Sequence, residues 1–172
     1  METGYVHLYT GDGKGKTTAA FGLVLRAAGH GWPSYVGQFM KGQRYGEVDA
    51  LAALPQVTVE QYGDPVCFRK EEVTPAHVAM AEEGLARASD ALHSGRYRLV
   101  VLDEINVAVW FGLLETGAVL DLLRERPAGV ELVLTGRKAS DELVAAADLV
   151  TEMREIRHYY MDGVLARDGI ER

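Results

Sequence analysis

The chain has 172 residues, 48% hydrophobic and 25% charged, which suits one globular domain with a core of ordinary size. Its 18 basic side chains against 25 acidic ones give a net charge of −7, which argues against sequence-independent nucleic-acid binding as the main task. The apolar runs are too short to span a bilayer, Glu2 opens the chain without a signal-peptide pattern, and the lone Cys67 excludes an internal disulfide, so a reducing cytoplasm is the simplest setting.

The first expected element is a strand over Tyr5 to Tyr9. Thr10 to Thr18, T-G-D-G-K-G-K-T-T, follows, and a helix from Lys16 to Ala28 is closed by Gly29-His30-Gly31. Strand, glycine-rich loop and helix in that order form an anion site, because loop and helix-start N–H groups converge on one point. The candidate ligands are Thr10, Gly11, Asp12, Gly13, Lys14, Gly15, Lys16, Thr17 and Thr18, with Lys16 as a point charge and Thr17 as a hydroxyl for Mg²⁺. The spacing departs from G-x-x-x-x-G-K-[ST]: the first glycine should stand at Thr10, and counted from Gly11 the loop is one residue short.

Tyr35 to Met40 reads as a buried strand, followed by a polar, glycine-punctuated loop from Lys41 to Glu47. A short helix over Val48 to Leu54 and a strand over Val57 to Gln61 come next, then an irregular stretch from Tyr62 to Glu72. Thr74 is a good N-cap and Pro75 a good first residue for a helix closed by Gly95, with Val78, Leu85, Ala88 and Leu92 facing a core. Arg98 to Asp103 is a buried strand, Ile105 to Leu114 and Val119 to Leu123 a helix pair, and Val130 to Thr135 another buried strand. Ser140 caps a helix to about Ala147, and Leu149 to Ile156 is the expected last core strand. The turn signals Asp162-Gly163 and Asp168-Gly169 point to a short ribbon or a lid.

Strands alternating with helices predict a single α/β domain, residues 1–172, with a mostly parallel sheet covered by helices on both faces. Right-handed crossovers then bring the phosphate loop, Lys41, Asp103-Glu104 and Arg137 to one sheet edge. Asp103, closing an apolar strand, can hold Mg²⁺ directly or through water. Glu104 can polarise a water or face a second substrate, or be a solvated acid. Lys41 and Arg137 are phosphate or second-substrate contacts, or ordinary surface charges. Arg26 lies on the loop's helix, where a solvated face is an equal reading. His158, beside Tyr159 and Tyr160, can stack on a ring or join an edge aromatic cluster. No zinc spacing, no G-x-S-x-G and no N-K-x-D is present, so the residues alone reach a single-domain Mg²⁺-nucleotide protein of phosphate-loop type.

Six segments in order add a resemblance: Thr10 to Gly22, Ala27 to Gly31, Q-F-M-K-G at Gln38 to Gly42, V-V-L-D-E-I-N at Val100 to Asn106, L-T-G-R at Leu134 to Arg137, and G-I-E at Gly169 to Glu171. Together they resemble the ATP:corrinoid adenosyltransferases of the phosphate-loop type. The resemblance implies a P-loop NTPase-like (RecA-like) fold and transfer of the 5′-deoxyadenosyl group of ATP to Co(I) of a reduced corrinoid, with triphosphate leaving, in adenosylcobalamin biosynthesis or salvage. Lys16, Thr17 and Mg²⁺, or Mn²⁺ in its place, would stabilise the departing triphosphate. Glu104 would lie near the corrinoid, with Arg137 as a further contact, and Arg26, Lys41 and His158 near ATP. The stretch Gly63 to Glu72, with Cys67 and Phe68, would cover the lower corrin face. A homodimer and a flavoprotein reductant are implied as partners. Family members often carry an extension before the first strand that folds over the nucleotide, so such a lid is expected to be missing or supplied otherwise here. Some also place Trp in the lower-face segment, where this chain has Val66, Cys67 and Phe68. The alternatives are another phosphate-loop kinase or ATPase, and a non-catalytic nucleotide-dependent corrinoid-binding protein.

Overall fold

The computed structural model describes residues 3–171; Met1, Glu2 and Arg172 lie outside the described residues, and with them the reading placed on Glu2. Six strands form one sheet: β1 (Val6–Thr10), β2 (Ser34–Phe39), β3 (Val57–Tyr62), β4 (Leu99–Asp103), β5 (Glu131–Thr135) and β6 (Leu149–Glu152). Their order is β3-β2-β4-β5-β1-β6, and every pairing is parallel. The helices are α1 (Lys16–Gly29), α2 (Gly46–Ala52), α3 (Pro75–His93), α4 (Ile105–Trp110), α5 (Thr116–Glu125) and α6 (Asp141–Ala146).

Strand alternation sorts the core into two layers. Leu99 and Val101 of β4 pack with Ala20, Phe21 and Val24 of α1 and Leu51 of α2. Val100 and Leu102 face the opposite way, toward Ala88 and Leu92 of α3, Ala108 of α4, Leu122 of α5 and Leu143 of α6. The sheet is therefore covered on both faces. Each fully buried leucine or valine contributes about 1.5–3 kcal/mol by leaving water.

The helix ends follow local chemistry. Thr74 caps α3, its hydroxyl accepting from the His77 N–H while His77 Nδ1 accepts from the Thr74 N–H. Ser140 caps α6 by accepting from the Leu143 N–H. Helix α4 stops at Trp110, four residues before the expected Leu114. Gly112 adopts φ +75°, and two bonds, Gly112 N–H to Val109 O and Leu113 N–H to Ala108 O, close a left-handed cap. Helix α5 accordingly starts early, at Thr116.

Two further expectations are corrected. Strand β6 ends at Glu152 rather than Ile156, and it is an exposed edge strand, with Leu149 and Val150 each 43% exposed. The Met153 N–H still donates to Thr10 O at 2.9 Å, the last rung of the β1–β6 ladder, and Met153 O then accepts from the Gly13 N–H of the phosphate loop at 2.7 Å, beyond the end of β1. Beyond Met153, among the described residues, there is a 3₁₀ turn at Tyr159–Asp162 and no ribbon; of the two expected alternatives the segment is closer to a lid, since Ile170 and Glu171 meet Lys14 of the phosphate loop.

Candidate active site

Strands β1, β2, β4 and β5 end at one edge, and their following residues bound a cavity of about 720 Å³. The loop between β1 and α1 forms its floor. Gly15 takes φ +119° at the start of α1, a conformation that a side chain would strain. Gly11 and Gly13 press against the backbone of Met153: an added Cβ would stand 2.4 Å and 2.7 Å from its carbonyl oxygen. The residue after β6 thus fixes the loop's back, so only glycine fits there.

Lys16 opens α1 with 6% of its surface exposed and folds back onto the loop, donating to Gly11 O and Gly13 O, both at 2.7 Å. Burial lowers its pKa, opposed by the charge of Glu104. An ammonium satisfied only by two carbonyls is poised to exchange them for phosphate oxygens, which carry full charge.

Asp103 is fully buried at the end of β4 and receives four side-chain donors. Thr17 and Thr135 donate hydroxyls to Oδ1 at 2.8 and 2.7 Å. Lys41 and Gln38 donate to Oδ2 at 2.8 and 3.0 Å. Burial by itself would raise this carboxyl, but Lys41 and the hydroxyl donors hold it below its ordinary value. Burial likewise pulls Lys41 down, and the Asp103 charge more than restores it. The pair is therefore ionised and geometrically fixed.

Glu104 is next in the chain and opposite in character. Its backbone sits at φ +61°, held by its N–H donating to Thr135 Oγ1 at 3.0 Å. Desolvation, then the Asp103 charge, push its pKa up. A carboxylate this poorly solvated, facing a cavity with Lys16 and Arg137, is suited to a cationic or electron-poor ligand atom rather than to structure. Across β5, Gly136 at φ +132° lies against Asn106, whose Nδ2 donates to Gly136 O at 3.1 Å, and this turn sets Arg137 on the cavity wall.

The structure brings Gly13, Lys14, Gly15, Lys16, Thr17, Thr18, Lys41, Glu104, Arg137 and His158 to the cavity wall. Asp103 lies behind Thr17, while Thr10, Gly11 and Asp12 form the outer back of the loop, where Asp12 pairs with Lys138 at 3.7 Å. Arg26 is not on this wall: ten residues along α1 places it about 15 Å from Lys16, exposed in the last turn. Cys67 is exposed, and Phe68 stacks on His77 with 3.9 Å between ring centres, so neither lines the cavity. Sequence reasoning missed Gln38 and Thr135 as partners of Asp103. The signal was register: Gln38 pairs with Asp103 across β2 and β4, and Thr135 follows Leu134, the partner of Leu102. It also missed Tyr45, Glu47 and Phe21 on the wall, and Glu171, which covers it.

The family described as "ATP:corrinoid adenosyltransferase BtuR/CobO/CobP" matches residues 2–172. The chain belongs to that family. It is thus a member of a transferase family whose phosphate-loop NTPase-like fold agrees with the all-parallel sheet. It is 37% identical to a corrinoid adenosyltransferase of a Sinorhizobium species over 99% of this chain and 81% of that protein. A corrinoid adenosyltransferase of Pseudomonas aeruginosa is also 37% identical, with 99% and 84% covered. The corrinoid adenosyltransferase CobA of Salmonella typhimurium is 34% identical, with 99% and 86% covered. Among the described residues no helix is long and apolar enough to cross a membrane.

The donors near Thr17 suit a hard divalent ion. Mg²⁺ takes one or two protein oxygens and keeps waters and phosphate oxygens for the rest. Thr17 Oγ1 on the cavity wall and Asp103 Oδ1 behind it, 2.8 Å apart, could supply such a set. Because Asp103 already satisfies four donors, Thr17 could serve as a direct ligand, with Asp103 orienting it or acting through a water.

Proposed function

We propose that the protein transfers the 5′-deoxyadenosyl group of ATP to the Co(I) centre of a reduced corrinoid, releasing inorganic triphosphate, in adenosylcobalamin biosynthesis or salvage. The observation that carries this reading is the convergence of four cations, Lys14, Lys16, Lys41 and Arg137, on one cavity floored by the phosphate loop. Glu47, Glu104 and Glu171 share that wall, so the match to a polyphosphate is local, at Lys16 and the first N–H groups of α1, and membership of the adenosyltransferase family supplies the second substrate.

In this account the cobalt electron pair forms the Co–C bond at the ribose 5′-carbon, the C5′–O bond breaks, and its pair departs on the triphosphate. The protein's part is positioning and charge neutralisation. Lys16 exchanges its two loop carbonyls for phosphate oxygens, and the N–H groups at the start of α1 add to it. Thr17 and Asp103 would hold Mg²⁺, or Mn²⁺, which supplies further neutralisation of the leaving group. Lys41 stays locked to Asp103 and keeps that carboxylate ionised. Glu104 and Arg137 face the corrinoid side, with the loop after β3, carrying Cys67 and Phe68, at the same sheet edge. His158 stands by the nucleotide. The single domain of 1–172 acts as a cytoplasmic homodimer supplied with electrons by a flavoprotein.

The test is to supply Mg-ATP with a chemically reduced corrinoid and follow the cobalt–carbon bond by its visible spectrum and its loss in light. Bond formation that needs both substrates supports the reading. ADP and phosphate formed without dependence on corrinoid would overturn it in favour of a kinase or ATPase.

A further inference from the structure

The segment after β6 returns to the phosphate loop and places a carboxylate on it. Lys14 donates to Glu171 Oε1 at 2.7 Å, to Ile170 O at 3.1 Å and to the Tyr159 hydroxyl at 3.3 Å. The same carboxylate accepts from the Arg167 backbone N–H at 2.9 Å and from its guanidinium at 3.3 Å, and from the Tyr159 hydroxyl. Arg167 also lies over the Tyr159 ring, 5.0 Å from its centre. Gly169, Ile170 and Glu171 line the cavity beside Lys16 and Thr17. So the segment does more than cover the loop: it gives Lys14 an anion where a polyphosphate would otherwise supply one.

We propose that Glu171 is an internal competitor of the triphosphate for Lys14, a residue that sets how tightly the polyphosphate is held and helps to expel it. The proposal rests on the reading that this loop binds the triphosphate of ATP. Two features make the exchange reversible. Glu171 keeps Arg167 and Tyr159 when Lys14 leaves it, so it is not stranded without a partner. Lys14 is 43% exposed, so it can swing to a phosphate oxygen without the desolvation that holds Lys41 on Asp103. When the triphosphate is the product, Glu171 takes the ammonium back. That return trip lowers the barrier to release from a loop otherwise built to retain anions.

The experiment measures binding of inorganic triphosphate with Mg²⁺ to the full chain by calorimetry, and the KM for ATP and product inhibition by triphosphate in the adenosyl-transfer assay. Glu171→Gln removes the competing charge with little change of shape. It is expected to tighten triphosphate by up to about fivefold, the upper end for an exposed ion pair. The ATP KM and the triphosphate inhibition constant should fall by the same factor. In a Lys14→Gln background the same substitution should have no effect, because the contested donor is gone. If Glu171→Gln weakens or leaves unchanged the binding of triphosphate, or tightens it equally without Lys14, the competition is overturned. Lys16→Ala separates the two layers. If wild type binds triphosphate and Lys16→Ala does not, the loop reading stands whatever Glu171 does. If neither responds, the loop reading itself fails, and the competition with it. Melting curves confirm that each variant is folded.

Discussion

The two walls of the cavity hold their charges in different ways. On the β2–β4 wall, Asp103 is sealed from water and tied to Lys41, Thr17, Gln38 and Thr135 by bonds of 2.7–3.0 Å. Where the phosphate loop meets the segment after β6, Lys14 and Glu171 stand at a similar 2.7 Å but with 43% and 16% of their side chains exposed. Equal distances therefore carry unequal meaning. The first pair cannot separate without leaving a buried charge unpaired, and so it acts as framework. The second exchanges partners at little cost, because water and Arg167 are at hand. A site that must bind a polyanion and then let it go needs both kinds of wall.

The largest effect is expected on the buried wall. Asp103→Asn leaves the Lys41 ammonium without its counter-charge and should cost about 3–5 kcal/mol in denaturant unfolding. The pH dependence has a definite sign. The Asp103 carboxyl lies below its ordinary value, so its contribution is present above about pH 4 and is lost as pH falls through the depressed pKa. In metal-free buffer the gap between wild type and Asp103→Asn should close on acidification.

Next is Lys16→Ala, which should lower adenosyl transfer by about 10²–10³-fold, the range for removing one donor to a developing oxyanion, while melting stays near wild type. Steady-state turnover with saturating corrinoid measures it. Glu104→Gln should act on stability with the opposite sign to Asp103→Asn. The Glu104 carboxyl is pushed above its ordinary 4.5, so the folded state resists its ionisation. Stability from this group is whole below the unfolded pKa and falls as pH rises through the folded one. The variant should therefore melt above wild type near neutrality and match it in acid, while transfer to the corrinoid drops. Smallest is the few-fold tightening of triphosphate by Glu171→Gln, which probes the exchangeable wall alone.

On both walls the residues were legible in the sequence and their pairing was not: Lys41 was read as a phosphate or second-substrate contact and Lys14 as a phosphate ligand, where the structure pairs them with Asp103 and Glu171. Asp103 and Lys41 stand directly after apolar runs, and a parallel sheet brings all such positions to one edge. Gln38 and Thr135 escaped because their role depends on register, which no local pattern states. The far end of the chain was harder. Leu149 to Ile156 has the apolar content of a core strand, yet its partner β1 ends at Thr10, where the phosphate loop begins, so the ladder stops at Met153, whose carbonyl goes to Gly13. The phosphate loop thus overrides the local preference of a segment some 140 residues away in sequence. Helix α4 shows the reverse case, in which a single glycine, Gly112, ended a pattern that looked longer.

In an adenosyltransferase this loop should grip a leaving group rather than a phosphate to be cut. Phosphorus NMR of a turnover mixture containing ATP, Mg²⁺ and chemically reduced corrinoid tests it most directly. Intact triphosphate should appear in step with each cobalt–carbon bond. Orthophosphate with ADP, or pyrophosphate, appearing at the rate of bond formation would contradict it.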